Sequence, residues 1–272
     1  MKADISVLMS VYYKEKPEYI RQCFDSLLSQ TLQANEWVVV EDGKLTDELY
    51  AVLDEYETKY PSLIKRIPLP QNVGLGLALR AGIPECSNEL IARMDTDDIA
   101  RKDRFEKQYA EFKKDDSLDI CGSYIKEFEG TPDNIVSIRK VPVTDAEIKV
   151  YQKKRDSFNH MTVMYKKSAV LKAGNYQSCL LMEDTLLWVH MIQSGAKCKN
   201  LLDSLVYARV GKDMYARRGG LDYFKKYKTG RKKIYSTGYI GKKDYSLSLA
   251  VQFIVCIVPI RIRKVIFNNL LR

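Results

Sequence analysis

Four short apolar runs of strand length alternate with helical patterns over residues 1–94, and this alternation restricts the fold more than any other feature. The runs cover residues 5–11, 36–41, 64–69 and 89–94. Strands that alternate with helices predict an α/β fold with a mainly parallel sheet. At 272 residues, the chain has room for one large domain, or for one domain with an appendage.

The segments between the first runs carry the signals of helices. Pro17 suits the first helical position, and the apolar residues after it are spaced three and four apart: Ile20, Cys23, Phe24, Leu27 and Leu28. Thr46 is a predicted N-cap for a second helix, whose apolar face is Leu49, Val52, Leu53 and Tyr56. We expect a third helix over residues 77–82, after the turn-rich segment 70–74.

Polar side chains follow three of the predicted strands at the point where each strand ends. They are Ser10, Tyr12 and Glu15, then Glu41 and Asp42, and finally Asp95, Asp97 and Asp98. In open α/β sheets, ligands bind beyond the carboxyl ends of the strands. We therefore expect these loops to lie along one edge of the sheet and to form a binding site.

Asp95, Asp97 and Asp98 place three carboxylates within four residues. Like charges this close raise one another's pKa unless a cation neutralises them. The group suits a hard cation such as Mg²⁺ or Mn²⁺ that also binds the phosphates of a substrate. Such a cation would neutralise a diphosphate leaving group. The alternative is a solvated acidic turn that caps a helix starting near Asp103. The spacing excludes an EF-hand, because the sixth-position Gly and the closing Glu are both missing.

Glu183 and Asp184 form a second acidic group, at the start of a helix predicted over residues 182–192. The helix dipole favours acidic residues there, so their role could be structural alone. Trp188 lies four residues after Asp184 on the same helix face, and a carboxylate beside an aromatic surface suits a sugar hydroxyl that needs a general base. The alternative for Trp188 is a place in the core.

The remaining predicted elements are strands over residues 119–128 and 159–165 and a short helix over residues 167–173. His160 stands at the start of the second strand, where a core or capping role competes with a role in the site.

Missing motifs exclude several classes of protein. The chain has no Gly-x-x-x-x-Gly-Lys-Ser/Thr stretch and no Gly-x-Gly-x-x-Gly after its first strand. This argues against P-loop proteins, dinucleotide dehydrogenases and sugar-phosphate nucleotidyltransferases. Six cysteines without a Cys-x-x-Cys pair, and only two histidines, give poor support for a zinc site. Asp4 interrupts any N-terminal apolar run, so we expect no signal peptide, reduced thiols and a cytosolic site of action.

The net charge of +9 is concentrated near the C-terminus. Residues 209–272 hold sixteen Lys or Arg against three Asp, whereas residues 1–208 hold 28 basic and 32 acidic residues. Nucleic acid and an anionic membrane surface are the two candidate partners for so basic a tail. Arg209, Arg217 and Arg218 are further candidates for holding phosphates, since the guanidinium fork matches phosphate oxygens.

Five motifs, in this order, give the chain a specific resemblance to glycosyltransferase family 2. They are Ser-Val-Leu-Met-Ser-Val-Tyr (6–12), Val-Glu-Asp-Gly (40–43), Asn-Val-Gly-Leu-Gly (72–76), Ala-Arg-Met-Asp-Thr-Asp-Asp (92–98) and Met-Glu-Asp-Thr-Leu-Leu-Trp (182–188). The similarity spans residues 4–220. Two more segments resemble the bacterial exopolysaccharide and capsule branch of the amylovoran type: Phe-Asn-His-Met-Thr-Val-Met-Tyr (158–165) and Tyr-Ala-Arg-Arg-Gly-Gly (215–220).

This resemblance implies the GT-A fold, a Rossmann-like, nucleotide-binding, mainly parallel sheet with helices on both faces. It also implies a set of donor-binding residues: Ser10, Tyr12, Glu15, Asp42, Asn72 and Asp95. Asp97 would be the main ligand of a bound Mn or Mg ion, with Asp95 beside it. Many relatives have Asp-Asp-Gly-Ser where this chain has Glu41-Asp42-Gly43-Lys44, although the Asp aligned with the nucleoside contact is kept.

The resemblance further implies that Asp184 is the general base. It would take the proton from the acceptor hydroxyl as that oxygen attacks the anomeric carbon and inverts it. Glu183, Trp188 and His160 would help to form the acceptor site. The implied activity is a metal-dependent transfer of one sugar from a nucleotide-diphosphate sugar to a lipid-linked glycan, in capsular or exopolysaccharide synthesis.

We expect a catalytic domain over residues 1–220 and a basic, amphipathic helical tail over residues 221–272. Residues 247–260 are mostly apolar but fall short of the ~20 needed to span a bilayer. Arg261, Arg263 and Lys264 follow, and such a pattern suits a peripheral helix on the cytoplasmic face of the bacterial inner membrane. The alternative is a C-terminal core helix.

Two other functions compete with catalysis at the membrane. A non-catalytic membrane scaffold that binds a nucleotide-sugar is one, but the presence of both Asp97 and Asp184 argues against it. Binding of nucleic acid is the other, and the apolar stretch within the tail and the lack of an aromatic-basic RNA motif disfavour it.

Overall fold

The computed structural model describes residues 2–211, 219–259, 263 and 266. Within them the strands are β1 Lys2–Val11, β2 Gln33–Glu41, β3 Ile64–Pro68, β4 Leu90–Arg93, β5 Ile99–Ala100, β6 Leu118–Phe128, β7 Ile135–Arg139, β8 Met164–Lys166 and β9 Lys197–Arg209. The helices are α1 Pro17–Leu28, α2 Asp47–Lys59, α3 Leu75–Glu85, α4 Arg104–Lys114, α5 Asp145–Tyr151, α6 Lys167–Lys172, α7 Glu183–Gln193, α8 Gly220–Ser236 and α9 Lys242–Ile257.

These strands form a single sheet in the order β3-β2-β1-β4-β8-β6-β9-β5, with β7 beside β6. The first four strands pair in parallel, as do β6 and β9, and most of the paired residues belong to these pairings. The predicted α/β fold with a mainly parallel sheet is therefore confirmed. Because β1, β2 and β4 run in the same direction, the loops that follow them meet at one edge.

Helices cover both faces of the sheet. Along β1, Val7 and Met9 join the cluster that contains Phe24 of α1, whereas Leu8 joins the cluster that contains Leu79 of α3. This alternation follows from the period of two along a strand. Each such apolar side chain contributes about 1.5–3 kcal/mol on full burial, so the two clusters hold the sheet between two helical layers.

The early helices begin and end close to where the sequence predicts them. The helix predicted from Pro17 is α1, and Thr46 caps α2 by accepting a hydrogen bond from the Leu49 N–H at 3.4 Å. The short helix after residue 166 is also confirmed, as α6.

The strand predicted over residues 159–165 is wrong for most of its length. A 3₁₀ turn at His160–Thr162 precedes β8, because hydrogen bonds of Asn159 and Thr162 bend the chain. The Thr162 hydroxyl donates to the Asn159 carbonyl at 2.8 Å, and the Asn159 amide donates to the Ser123 carbonyl at 2.8 Å.

The C-terminal helices pack against α7. Leu186 and Val189 of α7 form a buried cluster with Ile234 of α8. No described helix has both the length and the apolar character that a bilayer crossing requires. The six cysteines are all buried and form no disulfide.

Part of the expected tail behaves differently from the prediction. Arg263 is buried and caps the end of α9, since its guanidinium donates to the carbonyls of Val255 at 2.9 Å and Val258 at 3.0 Å. It therefore does not face a membrane. The predicted domain boundary at residue 220 adjoins residues 212–218, which lie outside the described residues and include Tyr215, Arg217 and Arg218. Arg261 and Lys264 also lie outside them.

Candidate active site

Three carboxylates stand at the carboxyl end of β4. One oxygen atom from each of Asp95, Asp97 and Asp98 lies within 4.8 Å of the other two. Burial, followed by the charge of Asp95, raises the pKa of Asp97 to about 6. Burial, followed by Asp97 and Asp95, also raises the pKa of Asp98. The residues fit a hard divalent cation, because Mg²⁺ and Mn²⁺ prefer oxygen ligands and a cation would remove this repulsion.

The acidic loop does not serve as a cap for α4. That helix begins at Arg104, and its Phe105 N–H donates to Gln30 Oε1 at 3.1 Å. Asp98 instead accepts a hydrogen bond from the backbone N–H of Arg209 at 2.7 Å. The alternative of an acidic cap near Asp103 is therefore wrong.

Two arginines hold this loop in place. Arg93, only 1 % exposed, forms an ion pair with Asp95, and its Nε and Nη1 atoms have no hydrogen-bond partner among the described residues. Arg209 donates from Nε to the Asp97 carbonyl at 3.0 Å, and its guanidinium carbon lies 3.8 Å from the centre of the Tyr19 ring. Arg209, considered above as a phosphate ligand, thus fixes the loop from β9.

Glu15 adds a fourth carboxylate near this group. Burial, followed by the charges of Asp97 and Asp95, raises its pKa to about 8. Ser10 is half-buried at the end of β1, and its carbonyl accepts a hydrogen bond from the Thr96 hydroxyl at 3.4 Å. Tyr12 follows β1 and is 37 % exposed. The end of β1 and the acidic loop therefore lie together, as the sequence predicts.

Asp42 shapes the turn that precedes α3. Its carboxylate accepts hydrogen bonds from the N–H groups of Val73 at 2.7 Å and Gly74 at 3.0 Å, and from the Asn72 amide at 2.9 Å. Asp42 is only 3 % exposed, so most of its capacity as an acceptor serves the turn. A direct contact between Asp42 and a nucleoside stays a prediction.

Asp184, one of the two residues of the second acidic group, lines a cavity of about 530 Å³. Asp184 accepts a hydrogen bond from the Thr185 N–H at 2.8 Å, and the Thr185 hydroxyl donates to Asp156. Burial, followed by the charges of Asp156 and Glu183, raises the pKa of Asp184 to about 8, while Arg93 opposes this rise. A carboxylate with so high a pKa is a stronger base than an ordinary one, which suits proton abstraction from a hydroxyl.

Glu183 is half-buried, and burial raises its pKa. It packs against α3 at Gly76, where an added Cβ would lie 2.6 Å from the Cβ of Glu183. The structure thus places the start of α7 directly against the start of α3, next to the turn that Asp42 holds.

Trp188 lies in the core and does not line the cavity. It is 1 % exposed and packs on Phe158, His160 and Tyr165, with ring centres 5.4, 5.8 and 6.3 Å away. The alternative of a core position for Trp188 is therefore confirmed, and a part for its indole in the acceptor site stays a prediction.

His160 joins the same aromatic cluster. Its Nε2 is hydrogen-bonded to the Tyr176 hydroxyl at 2.8 Å, and burial, together with Arg93, lowers its pKa. A neutral imidazole in this position supports the core beneath α7, as the structural alternative for His160 proposed. A contact between His160 and an acceptor stays a prediction.

Arg93 and Asp156 were not predicted from the sequence as residues of the site. Arg93 carried a signal, since a charged residue inside an apolar strand must find a partner, and Asp95 is two residues away on the same face. Asp156 carried no local signal. It reaches Asp184 only because the fold brings residues 152–157 against α7, where the Gln152 amide donates to the Thr185 carbonyl at 3.4 Å.

Comparisons with known proteins agree with this architecture. The sequence model described as "Glycosyl transferase family 2" matches residues 6–172, which is more than half of the chain. An uncharacterized glycosyltransferase of Haemophilus influenzae is 43% identical, over 98% of each chain. The amylovoran biosynthesis glycosyltransferase AmsE of Erwinia amylovora is 40% identical, over 81% of each chain. The UDP-Gal:alpha-D-GlcNAc-diphosphoundecaprenol beta-1,3-galactosyltransferase of Escherichia coli is 33% identical, over 98% of this chain and 96% of that one.

Solved structures show the same fold. S. aureus TarS in complex with UDP-GlcNAc has a TM-score of 0.62 at 18% identity, over 99% of this chain and 72% of that one. The mannosyltransferase PcManGT from Pyrobaculum calidifontis, in complex with GDP-Man and Mn²⁺, has a TM-score of 0.64 at 14% identity, over 92% of this chain and 69% of that one. The architecture is therefore the GT-A fold.

Proposed function

Because the chain belongs to glycosyltransferase family 2, we propose that it transfers one sugar to a lipid-linked glycan, with inversion at the anomeric carbon and with the help of a divalent cation. Membership of the family makes the protein a glycosyltransferase that uses a nucleotide-sugar donor. The nature of the acceptor, the stereochemistry and the metal are the proposed parts.

One observation carries the proposal: the structure holds two separate acidic groups with different surroundings. Asp95, Asp97 and Asp98 stand close enough together to share a cation. Asp184 lines a cavity and has a pKa of about 8. A single displacement needs stabilisation of the leaving group and a base for the incoming hydroxyl, and these two groups suit those tasks.

Asp97, with Asp95 beside it, would hold the cation. When bound, a divalent cation neutralises the charge that develops on the departing diphosphate. Arg93 keeps Asp95 oriented through their ion pair. Asp184 takes the proton from the acceptor hydroxyl as that oxygen attacks the anomeric carbon from the face opposite the diphosphate, so that the configuration inverts. The turn that Asp42 and Asn72 build, together with Ser10, Tyr12 and Glu15, would contact the rest of the donor.

A lipid-linked acceptor is supported by the surface of the C-terminal helices. Four residues of α9, spaced three and four apart, are 41–57 % exposed: Leu247, Val251, Ile254 and Ile257. The neighbouring α8 presents five exposed lysines: Lys225, Lys226, Lys228, Lys232 and Lys233. An apolar stripe beside basic residues suits the interface of an anionic membrane.

The place and pathway follow from the same proposal. The E. coli relative is named for a diphosphoundecaprenol-linked acceptor, and the E. amylovora relative for amylovoran biosynthesis. We place this chain in the synthesis of a capsular or exopolysaccharide, as a peripheral protein on the cytoplasmic face of the bacterial inner membrane.

The cation and the donor can be tested by recording the melting temperature with UDP, GDP, dTDP and CDP, each with and without Mn²⁺. A ligand at ~100 times its Kd adds roughly 2.7 kcal/mol to the free energy of unfolding, which shifts the melting temperature by several degrees. We expect a shift with one nucleotide that requires the metal. Asp97→Asn should abolish it, whereas the exposed Asp116→Asn should not. A shift in melting temperature that occurs without Mn²⁺ and persists in Asp97→Asn would contradict the proposed role of the metal.

A further inference from the structure

We propose that the cavity beside Asp184 binds the diphosphate of the acceptor, with Arg139 and Lys154 as its ligands, and that its apolar wall receives the attached lipid. This inference rests on the proposed function and adds to it a binding site for one chemical class of acceptor, a glycan joined to a long lipid through a diphosphate.

The cavity is built from parts of the chain that lie far apart in sequence. Its walls include Arg139 at the end of β7, Lys154 after α5, Asp184 in the first turn of α7 and Leu247 of α9. Arg231 of α8 joins two of these parts, since it donates to the Ser248 hydroxyl at 2.9 Å and to the Lys153 carbonyl. The proposed base, an apolar helix face and four cationic side chains therefore share one space: Arg139, Lys154, Arg155 and Arg231.

Arg139 and Lys154 are not used by the fold. Neither side chain forms a hydrogen bond or an ion pair with another residue in the part of the chain that the structure describes; Arg139 is half-buried and Lys154 is exposed. By contrast, Arg231 in the same cavity donates two hydrogen bonds. Both cations are therefore available to an anion that enters the cavity. A guanidinium and an ammonium together match the oxygens of a diphosphate.

The walls also hold four acidic side chains, and two of these accept a hydrogen bond from a hydroxyl group. Glu127 accepts the hydroxyl of Ser137, and Asp156 accepts the hydroxyl of Thr185. The other two are Asp244, in the first turn of α9, and Asp184, which accepts the Thr185 N–H. In a glycan joined to a diphosphate, the accepting hydroxyl and the phosphates belong to the same molecule. A hydroxyl at Asp184 therefore brings the diphosphate into the cavity that Arg139 and Lys154 line.

The apolar wall gives the lipid a continuous path. Leu247 and Val251 line the cavity and are also 56 % and 41 % exposed, so they belong both to the cavity and to the outer stripe of α9. A lipid attached to the diphosphate could follow this stripe out of the cavity and into a membrane against which α9 lies.

The test measures binding of farnesyl diphosphate to the purified full-length protein by titration calorimetry. A chelator is present, so that the carboxylates of the acidic loop cannot hold the probe through a metal. Farnesol and inorganic diphosphate serve as the two partial ligands. Arg139→Ala and Lys154→Ala are compared with Lys140→Ala and Lys153→Ala, which remove the same charge from the next residue, outside the cavity.

We expect farnesyl diphosphate to bind at least about tenfold more tightly than farnesol or inorganic diphosphate, because charge and apolar contacts both contribute. Arg139→Ala and Lys154→Ala should each weaken binding by about tenfold or more, while the control variants stay within about twofold of the parent protein. In transfer assays, Arg139→Ala should raise the KM for a diphosphate-linked acceptor and leave kcat and the donor KM unchanged.

Three results would overturn the inference. Farnesyl diphosphate could fail to bind, it could bind no better than inorganic diphosphate, or all four variants could lose affinity equally, which would mean general attraction to a basic surface. Binding does not require transfer, so the two proposals can fail separately. Binding that depends on Arg139, without transfer from any donor, would defeat the proposed function and leave the diphosphate site standing.

Discussion

Arg93 influences both acidic groups of the site. It pairs with Asp95, and it opposes the rise in pKa of both Asp97 and Asp184. It is 1 % exposed, so water screens its charge poorly. A single buried guanidinium thus links the proposed metal ligands to the proposed base and favours the ionised form of each.

The pKa of Asp184 predicts how the transfer rate depends on pH. Asp184 can accept a proton only when it is ionised, and burial, with Asp156 and Glu183, raises its pKa to about 8. The ionised fraction therefore grows as the pH rises through this value. We expect kcat/KM, measured with saturating metal, to rise up to about pH 8 and then level off. A profile that is flat from pH 7 to 9 would argue against Asp184 as the base.

Removing the charge of Arg93 should move this profile. Arg93→Met takes away the cation that opposes the rise in pKa of Asp184, so we expect the rising part of the profile to shift to higher pH. Arg93→Lys keeps the charge, so its pH profile should lie closer to that of the parent protein. Equal profiles for the two variants would mean that Arg93 acts through packing alone, and melting temperatures of both variants would check that they fold.

At the scale of elements, the turn between β2 and α2 supports the donor side of the site. Gly43 has a φ of +83°, and a Cβ there would lie 2.5 Å from the backbone nitrogen of Asn72. The close approach lets Asp42, the preceding residue, bond the turn at residues 72–74. The two loops therefore keep their shape together.

Gly43→Ala tests this contact against a matched glycine. Gly130 has a φ of +75°, but a Cβ there would meet nothing within 4 Å. Gly130→Ala should lower the free energy of unfolding by about 1 kcal/mol through backbone strain, and Gly43→Ala by about 1–3 kcal/mol more through the clash. Denaturant unfolding measures both. Equal losses in the free energy of unfolding of the two variants would show that the close approach of the two loops does not contribute to the effect of Gly43→Ala.

The elements show what the sequence could and could not predict. Pro17 and Thr46 mark helix starts through local chemistry, so α1 and α2 were predictable. The alternating pattern at residues 159–165 wrongly predicted a strand, because hydrogen bonds of Asn159 and Thr162 with distant Ser123 bend the chain. The sequence placed Trp188 on the same helix face as Asp184 and left open whether it lies in the core. The packing of α7, which buries most of its residues, decides for the core.

Part of the candidate site was also predictable from the sequence, and part was not. The acidic residues 95–98 follow a strand directly, so their place at the sheet edge was predictable from the alternation of strands and helices. Long-range packing alone places three further residues in the cavity that Asp184 lines, and no local sequence pattern marks them: Arg139, Asp156 and Arg231. The cavity that they share was therefore absent from the sequence analysis.

At the scale of the whole molecule, the C-terminal helices should bind an anionic membrane through the apolar stripe of α9. The triple change Leu247→Ser, Val251→Ser and Ile254→Ser removes apolar surface without touching the acidic groups. We expect it to weaken binding to vesicles rich in phosphatidylglycerol by more than about tenfold, measured by co-sedimentation.

An equally exposed apolar patch elsewhere provides the control for this change. Ile135, Val136 and Ile138 of β7 are 36–48 % exposed, and changing all three to Ser should leave vesicle binding unaltered. Added salt should weaken binding of the parent protein, because the lysines of α8 act over a screened distance of about 8 Å at physiological ionic strength. Equal losses in the two triple variants would show that α9 is not the membrane contact.

If Asp184 is the base of a transfer whose donor is held elsewhere, Asp184→Asn should separate donor binding from transfer. The change keeps the shape of the side chain and removes its basicity. We expect the donor Kd to stay within about twofold and the transfer rate to fall by at least about 100-fold. Asp244→Asn, in the same cavity, should retain transfer. Transfer at the parental rate in Asp184→Asn would contradict the account.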